Sequence, residues 1–314
     1  MKSVLITGGT GLIGRHLSEK LLQQGYTVHL LSRQKNIVNK PTPTHHQSKI
    51  KIFQWDFNNN YIDPNAFENV GYVIHLTGAN IAKRWTPSYK KTILTSRIKT
   101  AELLINTIIK NNISIEKFVG ASAIGYYGMK TDEKIYTEVD AKGNDFLADT
   151  CHQWEKAYDP LIQHQIPTAI VRIGLVLSAN GGIYKLLKPV FQMGLGSAIG
   201  SGKQYMPWIH IDDLCRIFIH LMTNKELQGI YNAVSDEILN NAEFSKKLAQ
   251  SLNAPFFLPN IPEWALKMIL GEQHQMLTTG LKISNEKIKQ TGFVFRFSKL
   301  SNALADIQKN NHSK

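Results

Sequence analysis

Cysteine is almost absent: Cys151 and Cys215 are the only two among 314 residues. That scarcity excludes a disulfide-stapled scaffold, and the pair has no metal-site spacing. No apolar run approaches the ~20 residues that a membrane helix needs, which excludes a spanning protein and leaves no membrane partner to expect. Acidic side chains are outnumbered, 24 against 36 lysines and arginines, for a net charge of +12. The excess is +10 over residues 1–120, −3 over 121–240 and +5 over 241–314. It falls as single residues and pairs, such as Lys83-Arg84 and Lys90-Lys91, and no nucleic-acid module accompanies it. Dispersed cations of this kind weakly favour an anionic ligand and give no ground for a nucleic-acid partner. Met1-Lys2 runs straight into Ser-Val-Leu-Ile-Thr-Gly-Gly without a small-residue cleavage site, so the reducing cytoplasm is the expected location. His45-His46, His152 and His164 lack ligand spacing, and no metal is expected.

What is present is enough apolar material for a full core, 43% hydrophobic with 19% charged. Over the first 180 residues, short apolar runs alternate with longer amphipathic stretches. Strands are expected at Val4–Ile6, Thr27–Leu31, Ile50–Trp55, Tyr72–Leu76, Phe118–Ala121 and Ala169–Ile173. Helices are expected at Gly14–Gln24, Thr92–Lys110 and Asp149–His164. Strands this short and mostly apolar belong in a parallel sheet covered on both faces. Beyond residue 180 the glycines at 181, 182, 194, 196, 200 and 202 mark loops. Ile230–Val234 then reads as one more core strand, and residues 238–314 as helices and turns.

Between the first strand and the first helix lies Thr7-Gly8-Gly9-Thr10-Gly11-Leu12-Ile13-Gly14. Its glycines at 8, 11 and 14 supply the sharp turn, the open backbone for a pyrophosphate and the close helix packing of a dinucleotide site. Gly8, Gly9, Thr10, Gly11, Leu12 and Ile13 are therefore the expected phosphate cradle, lying at the positive end of a helix. The second strand ends in Ser32-Arg33, with no carboxylate nearby to hold ribose hydroxyls. A hydroxyl and a guanidinium there fit a 2′-phosphate, so the expected cofactor is NADP(H) and not NAD(H). The expected fold is α/β: a doubly wound, parallel-sheet Rossmann core with a smaller, mainly helical C-terminal lobe. Residues 1–178 and 208–236 would form the dinucleotide-binding part, and 179–207 with 237–314 the substrate lobe.

Further stretches sharpen the reading: His75-Leu-Thr-Gly-Ala-Asn80, Arg84-Trp85, Ser96-Arg97, Ser122-Ala-Ile-Gly-Tyr-Tyr-Gly128, Trp154-Glu155, Arg172-Ile-Gly-Leu-Val-Leu177, Gly200-Ser-Gly202, Trp208-Ile-His-Ile-Asp-Asp213 and Gly292-Phe293. With the glycine motif, these make a chain that resembles the extended short-chain dehydrogenase/reductase superfamily along nearly its whole length. More narrowly, it is similar to the atypical "epimerase family" subgroup, which ends in a domain of unknown function. The resemblance implies further cofactor contacts at Asp56 and Phe57 near the adenine, at Leu76, Thr77 and Gly78 beside ribose and phosphates, at Arg97, and at Leu175 near the nicotinamide.

It also implies a serine after the fifth strand and a tyrosine four residues before a lysine on the next helix. Here the chain departs from the pattern. Ala123 takes the serine position, and the tyrosine and lysine positions fall near Leu147 and Cys151. Ser122, Tyr126 and Tyr127 are the remaining candidates for catalysis. One of the two phenols handles the proton, or else one packs beneath the sheet while the other bonds a loop. Asp213 is expected to cap the helix that follows His210. The expected function is an oxidoreductase or epimerase-like activity on a small molecule. The alternative is a catalytically silent NADP(H) sensor or partner-binding protein. A monomer or homodimer is expected in either case.

Overall fold

The computed structural model describes residues 2–33 and 49–312. β1 (Ser3–Thr7) is buried along its whole length and runs into the glycine turn before α1 (Leu12–Gln23). β2 (Thr27–Ser32), β3 (Ile50–Asp56), the short β4 (Tyr61–Ile62) and β5 (Val70–His75) follow. Next come α2 (Pro87–Lys110), β6 (Lys117–Ala123), β7 (Ile135–Tyr136), α3 (Phe146–Lys156), α4 (Asp159–Gln163) and β8 (Thr168–Ile173). β9 (Leu175–Ser178), α5 (Gly182–Gln192), β10 (Trp208–His210), α6 (Ile211–Thr223) and β11 (Gly229–Ala233) lead into the C-terminal region. That region holds α7 (Asn241–Ser251), α8 (Glu263–Leu270), α9 (Gln275–Thr278), β12 (Lys282–Ile283), α10 (Glu286–Gln290) and α11 (Leu300–His312).

Eight strands form one sheet in the order β11-β8-β6-β5-β1-β2-β3-β4, parallel except where β4 pairs with β3. Strand order reverses at β1, which has β2 on one side and β5 on the other. Such a switch point opens a crevice at the carboxyl ends of the strands. The expected doubly wound parallel core is thus the fold observed, with helices building much of the C-terminal region.

Two helices differ from their expected extents. α2 begins at Pro87 because Thr86 Oγ1 accepts the Tyr89 N–H (3.1 Å) and proline suits the first helical position. The single helix expected over 149–164 is two. Asp145 starts α3 early by accepting the Leu147 and Ala148 N–H groups, and Pro160, having no N–H to donate, ends its continuation.

Two small parallel sheets lie outside the main one. β9 pairs with β10, and β7 with β12, which ties the C-terminal region to the loop after β6. A second apolar core gathers Leu177, Tyr184, Trp208, Phe244, Leu248 and Leu304, whereas Ile288 and Phe293 pack into the main core. Among the described residues no helix is long and apolar enough to cross a membrane.

Candidate cofactor and active site

Gly8 has φ +69°, and a Cβ there would lie 2.9 Å from the Leu76 carbonyl carbon and oxygen. A Cβ on Gly14 would lie 2.4 Å from Gly8 O, and one on Gly9 would lie 2.5 Å from Leu30 Cδ2. These three glycines let turn, helix and sheet close on one another. Gly11 differs. A Cβ there would meet only Gly8 O, at 3.2 Å, so its outer side faces open space. Gly11 is also the N-cap of α1, and no side chain caps that end. Backbone N–H groups and the positive helix end are therefore presented beside an open glycine, the arrangement that receives a pyrophosphate.

On the β5 side, His75 is fully buried between β1 and α2. Its Nδ1 lies 2.8 Å from Thr7 Oγ1 and its Nε2 lies 3.4 Å from Thr100 Oγ1. Burial lowers its pKa to about 3, so the ring is a neutral strut. The Leu76 N–H donates to Thr7 O at 3.2 Å, placing residues 76–79 along the edge of the glycine turn. Thr77 Oγ1 is buried there with no hydrogen-bond partner among the described residues. Arg97 lies against Gly78, where a Cβ would come within 2.9 Å of its Cζ. Its Nη1 donates to Ile93 O (2.9 Å), its Nη2 donates to Ala79 O (3.2 Å), and its Cζ sits 5.0 Å from the centroid of the Trp154 ring.

On the β2 side, Ser32 ends the strand in a buried position and Arg33 follows, exposed. Asp56 ends β3, but its carboxylate accepts the Asn58 N–H (2.9 Å) and the Asn59 side-chain amide (2.8 Å). The Asn58 bond, with those from Asn59, holds its pKa below the usual range. Asp56 therefore caps the turn that follows β3. Phe57 packs partly against the main core. Leu175 pairs with Trp208 in the small sheet, donates its N–H to Pro207 O (2.8 Å) and leans on the second core.

The three candidates for catalysis separate. Ser122 is buried and its Oγ donates to Glu155 Oε1 at 2.6 Å. Arg172 grips the same carboxylate with two bonds, Nε to Oε1 and Nη2 to Oε2, each 2.8 Å. Its Nη1 donates to the Tyr127 hydroxyl (3.0 Å), which in turn donates to Asn232 Oδ1 (2.7 Å). Burial pushes the Tyr127 pKa up to about 12, even with Arg172 pulling it down. Ser122 and Tyr127 are thus members of a buried network joining β6, α3, β8 and β11. Each polar group in it satisfies another.

Tyr126 keeps an exposed face. Arg172 Cζ stacks 3.4 Å from its ring centroid, His152 lies 6.3 Å away, and its hydroxyl has no hydrogen bond among the described residues. Leu147 and Cys151 stand near the positions where the resemblance implies the tyrosine–lysine pair. Both touch Gly125, at 3.4 and 3.7 Å from its Cβ position. Burial raises the Cys151 thiol to about 12, so neither residue offers a proton near neutrality. His210, and not Asp213, caps α6 by accepting the Asp212 N–H (3.2 Å). Asp213 instead accepts the Arg296 and Phe297 N–H groups at 3.0 and 2.8 Å, pinning the C-terminal region. His45 and His46 lie outside the described residues.

Residues 4–233 match the model of the NAD dependent epimerase/dehydratase family. The chain belongs to that family. Residues 261–307 match a domain of unknown function, DUF1731, completing the pattern of the atypical epimerase-family subgroup. An epimerase family protein of Staphylococcus saprophyticus is 33% identical over 309 residues, 98% of this chain and 99% of that one. The chloroplastic SDR39U1 homolog of Arabidopsis thaliana is 32% identical over 97% of this chain and 86% of its own length. Human SDR39U1, crystallised with NADPH, superimposes with a TM-score of 0.82 at 29% identity, covering 98% of this chain and 99% of that one. UDP-glucuronic acid 4-epimerase of Bacillus cereus, solved with NAD, matches at a TM-score of 0.76 with 18% identity, covering 99% and 100% of the two chains; this is a likeness of fold.

Proposed function

We propose that this protein binds NADP(H) across the β1 switch point and acts as an oxidoreductase or epimerase-like enzyme on a small molecule. The observation that carries the reading is the open, uncapped Gly11 turn flanked by Ser32-Arg33 at the end of β2. Gly8–Ile13 would hold the pyrophosphate, Arg33 the 2′-phosphate, and Leu76–Gly78 with Thr77 Oγ1 the ribose beyond. The NADPH in human SDR39U1 supports the choice of cofactor. The bound nicotinamide supplies a hydride donor or acceptor. The chain's own part is to orient that ring beside Leu175 and to face the cleft with Tyr126, whose phenol can exchange a proton with water or substrate. Residues 179–207 and 237–314 supply the opposing wall.

A silent NADP(H)-binding sensor is the second reading. It is favoured by Leu147 and Cys151 standing where acid and cation are needed, and by the withdrawal of Ser122 and Tyr127 into the core. The two readings part on one experiment: loss of NADPH absorbance after adding a desalted small-molecule extract of the source cells. As an enzyme, the wild type consumes NADPH and Tyr126→Phe lowers turnover by about 10²–10⁴-fold. Tyr127→Phe instead lowers stability by about 1–3 kcal/mol and leaves turnover per folded molecule intact. Tight NADPH binding with no consumption would favour the sensor, and unchanged turnover in Tyr126→Phe would remove that residue from the chemistry.

A further inference from the structure

Beyond α5 the chain carries large apolar side chains that neither core uses. Met193 and Leu195 follow α5, Phe257 precedes α8, and Trp264, Met268 and Ile269 lie on α8 itself. All six are between 56 and 77% exposed, and α8 has no buried residue. One such side chain in solvent is ordinary, but a contiguous group of them marks a contact surface.

The backbone gathers them on one edge. Residues 191–200 and 255–261 run side by side. Ile199 bridges Ile261 in parallel, the Gly200 N–H donates to Ile261 O (2.8 Å) and the Ile261 N–H donates to Ala198 O (2.9 Å). The Phe191 and Phe256 rings stack with centroids 6.4 Å apart, and a Cβ on Gly194 would lie 3.5 Å from Pro255 Cγ. Phe191 and Phe256 thus take the inward positions against the second core, leaving Met193, Leu195 and Phe257 outward beside the start of α8. Trp264 and Met268 are one turn apart on that helix and share a face, with Lys267 next to them.

Charge indicates what covers this edge. Residues 183–203 and 253–270 contain four lysines, Lys185, Lys188, Lys203 and Lys267, against one acid, Glu263. Glu263 Oε1 lies 3.1 Å from His274 Nε2, and among the described residues none of the four lysines is paired with a carboxylate. A second copy seated here would set lysine against lysine. An anionic lipid surface meets both features at once. Apolar side chains enter the acyl boundary, a tryptophan suits the headgroup level, and lysine stems lie along apolar surface while their ammonium groups reach phosphates. We propose that this edge of the C-terminal region docks the protein peripherally on an anionic bilayer. The expectation of no membrane partner rests on the lack of a span, which a surface contact does not need.

Vesicle sedimentation tests this, and neither NADP(H) nor a substrate is needed. The full chain is spun with vesicles of phosphatidylcholine alone and of phosphatidylcholine mixed equally with phosphatidylglycerol. The mixed vesicles should carry it down far better than the neutral ones, and added salt should weaken the binding. Trp264→Ser with Met268→Ser should reduce affinity by about 10- to 100-fold. Lys185→Gln, Lys188→Gln and Lys267→Gln should each reduce it by about fivefold. These side chains are exposed, so thermal melts of all the variants should match the parent. Lipids brominated in their acyl chains should quench the fluorescence of the wild type more than that of Trp264→Phe. No binding to the mixed vesicles, or binding that the serine and glutamine variants leave unchanged, would overturn the assignment. Self-association that the serine variant abolishes, without any vesicle binding, would also overturn it and give the edge to a second copy.

Discussion

Arg172→Met is expected to destabilise the fold by about 3–5 kcal/mol, the largest effect of any single change considered. The side chain is 1% exposed, and its removal leaves the Glu155 carboxylate buried without its bidentate partner. Tyr127 and Tyr126 lose the cation they bond and stack on at the same time. Against a typical total of about 5–15 kcal/mol, such a loss would leave many molecules unfolded at growth temperature. The double change Arg172→Met with Glu155→Leu should recover part of it, because no buried charge then remains. Urea denaturation reads both. A loss below about 1 kcal/mol in the single variant would mean that the network contributes little beyond its packing, contrary to this account.

Gly14→Ala and Gly11→Ala should separate architecture from ligand approach. A methyl on Gly14 would stand 2.4 Å from Gly8 O and 2.6 Å from Gly9 Cα, so helix and turn must part. Stability should fall by about 1–3 kcal/mol, and NADPH affinity should drop by 100-fold or more as the cradle opens (about 3 kcal/mol or more). A methyl on Gly11 meets no atom closer than 3.2 Å, and the backbone there has negative φ. Its stability should stay within about 0.5 kcal/mol of the parent. Binding should nonetheless weaken, because the methyl stands where the pyrophosphate approaches. Thermal melts with and without NADPH distinguish the two, and a Gly11→Ala variant that binds as the parent does would remove the phosphate from that turn.

The sheet and the glycine turn were legible because both are local in sequence. Each core strand is a short, mostly apolar run, and Gly8 to Gly14 spells out a turn whose sterics depend mainly on near neighbours. What resisted reading depends on distant partners. β7 and β12 are two residues each and pair only because the C-terminal region folds back on the loop after β6. Tyr126 and Tyr127 are adjacent, of one type and equally placed in the sequence. Only the positions of Arg172 and Asn232 decide that the Tyr127 hydroxyl is bonded within the core while Tyr126 stacks its ring on Arg172. The contact at Asp56 comes from the family resemblance alone, and the turn that Asn58 and Asn59 build on its carboxylate went unread. Those two asparagines were the signal that could have identified the turn.

The most direct test titrates the wild type and Arg33→Ala with NADPH and with NADH in parallel. The account predicts that the wild type prefers NADPH. Arg33→Ala should weaken NADPH by about 10- to 100-fold, the worth of one charge-assisted phosphate contact, and leave NADH almost unchanged. The preference would then be largely erased. A wild type that binds both cofactors equally, or an Arg33→Ala variant that loses both to the same extent, would contradict the account.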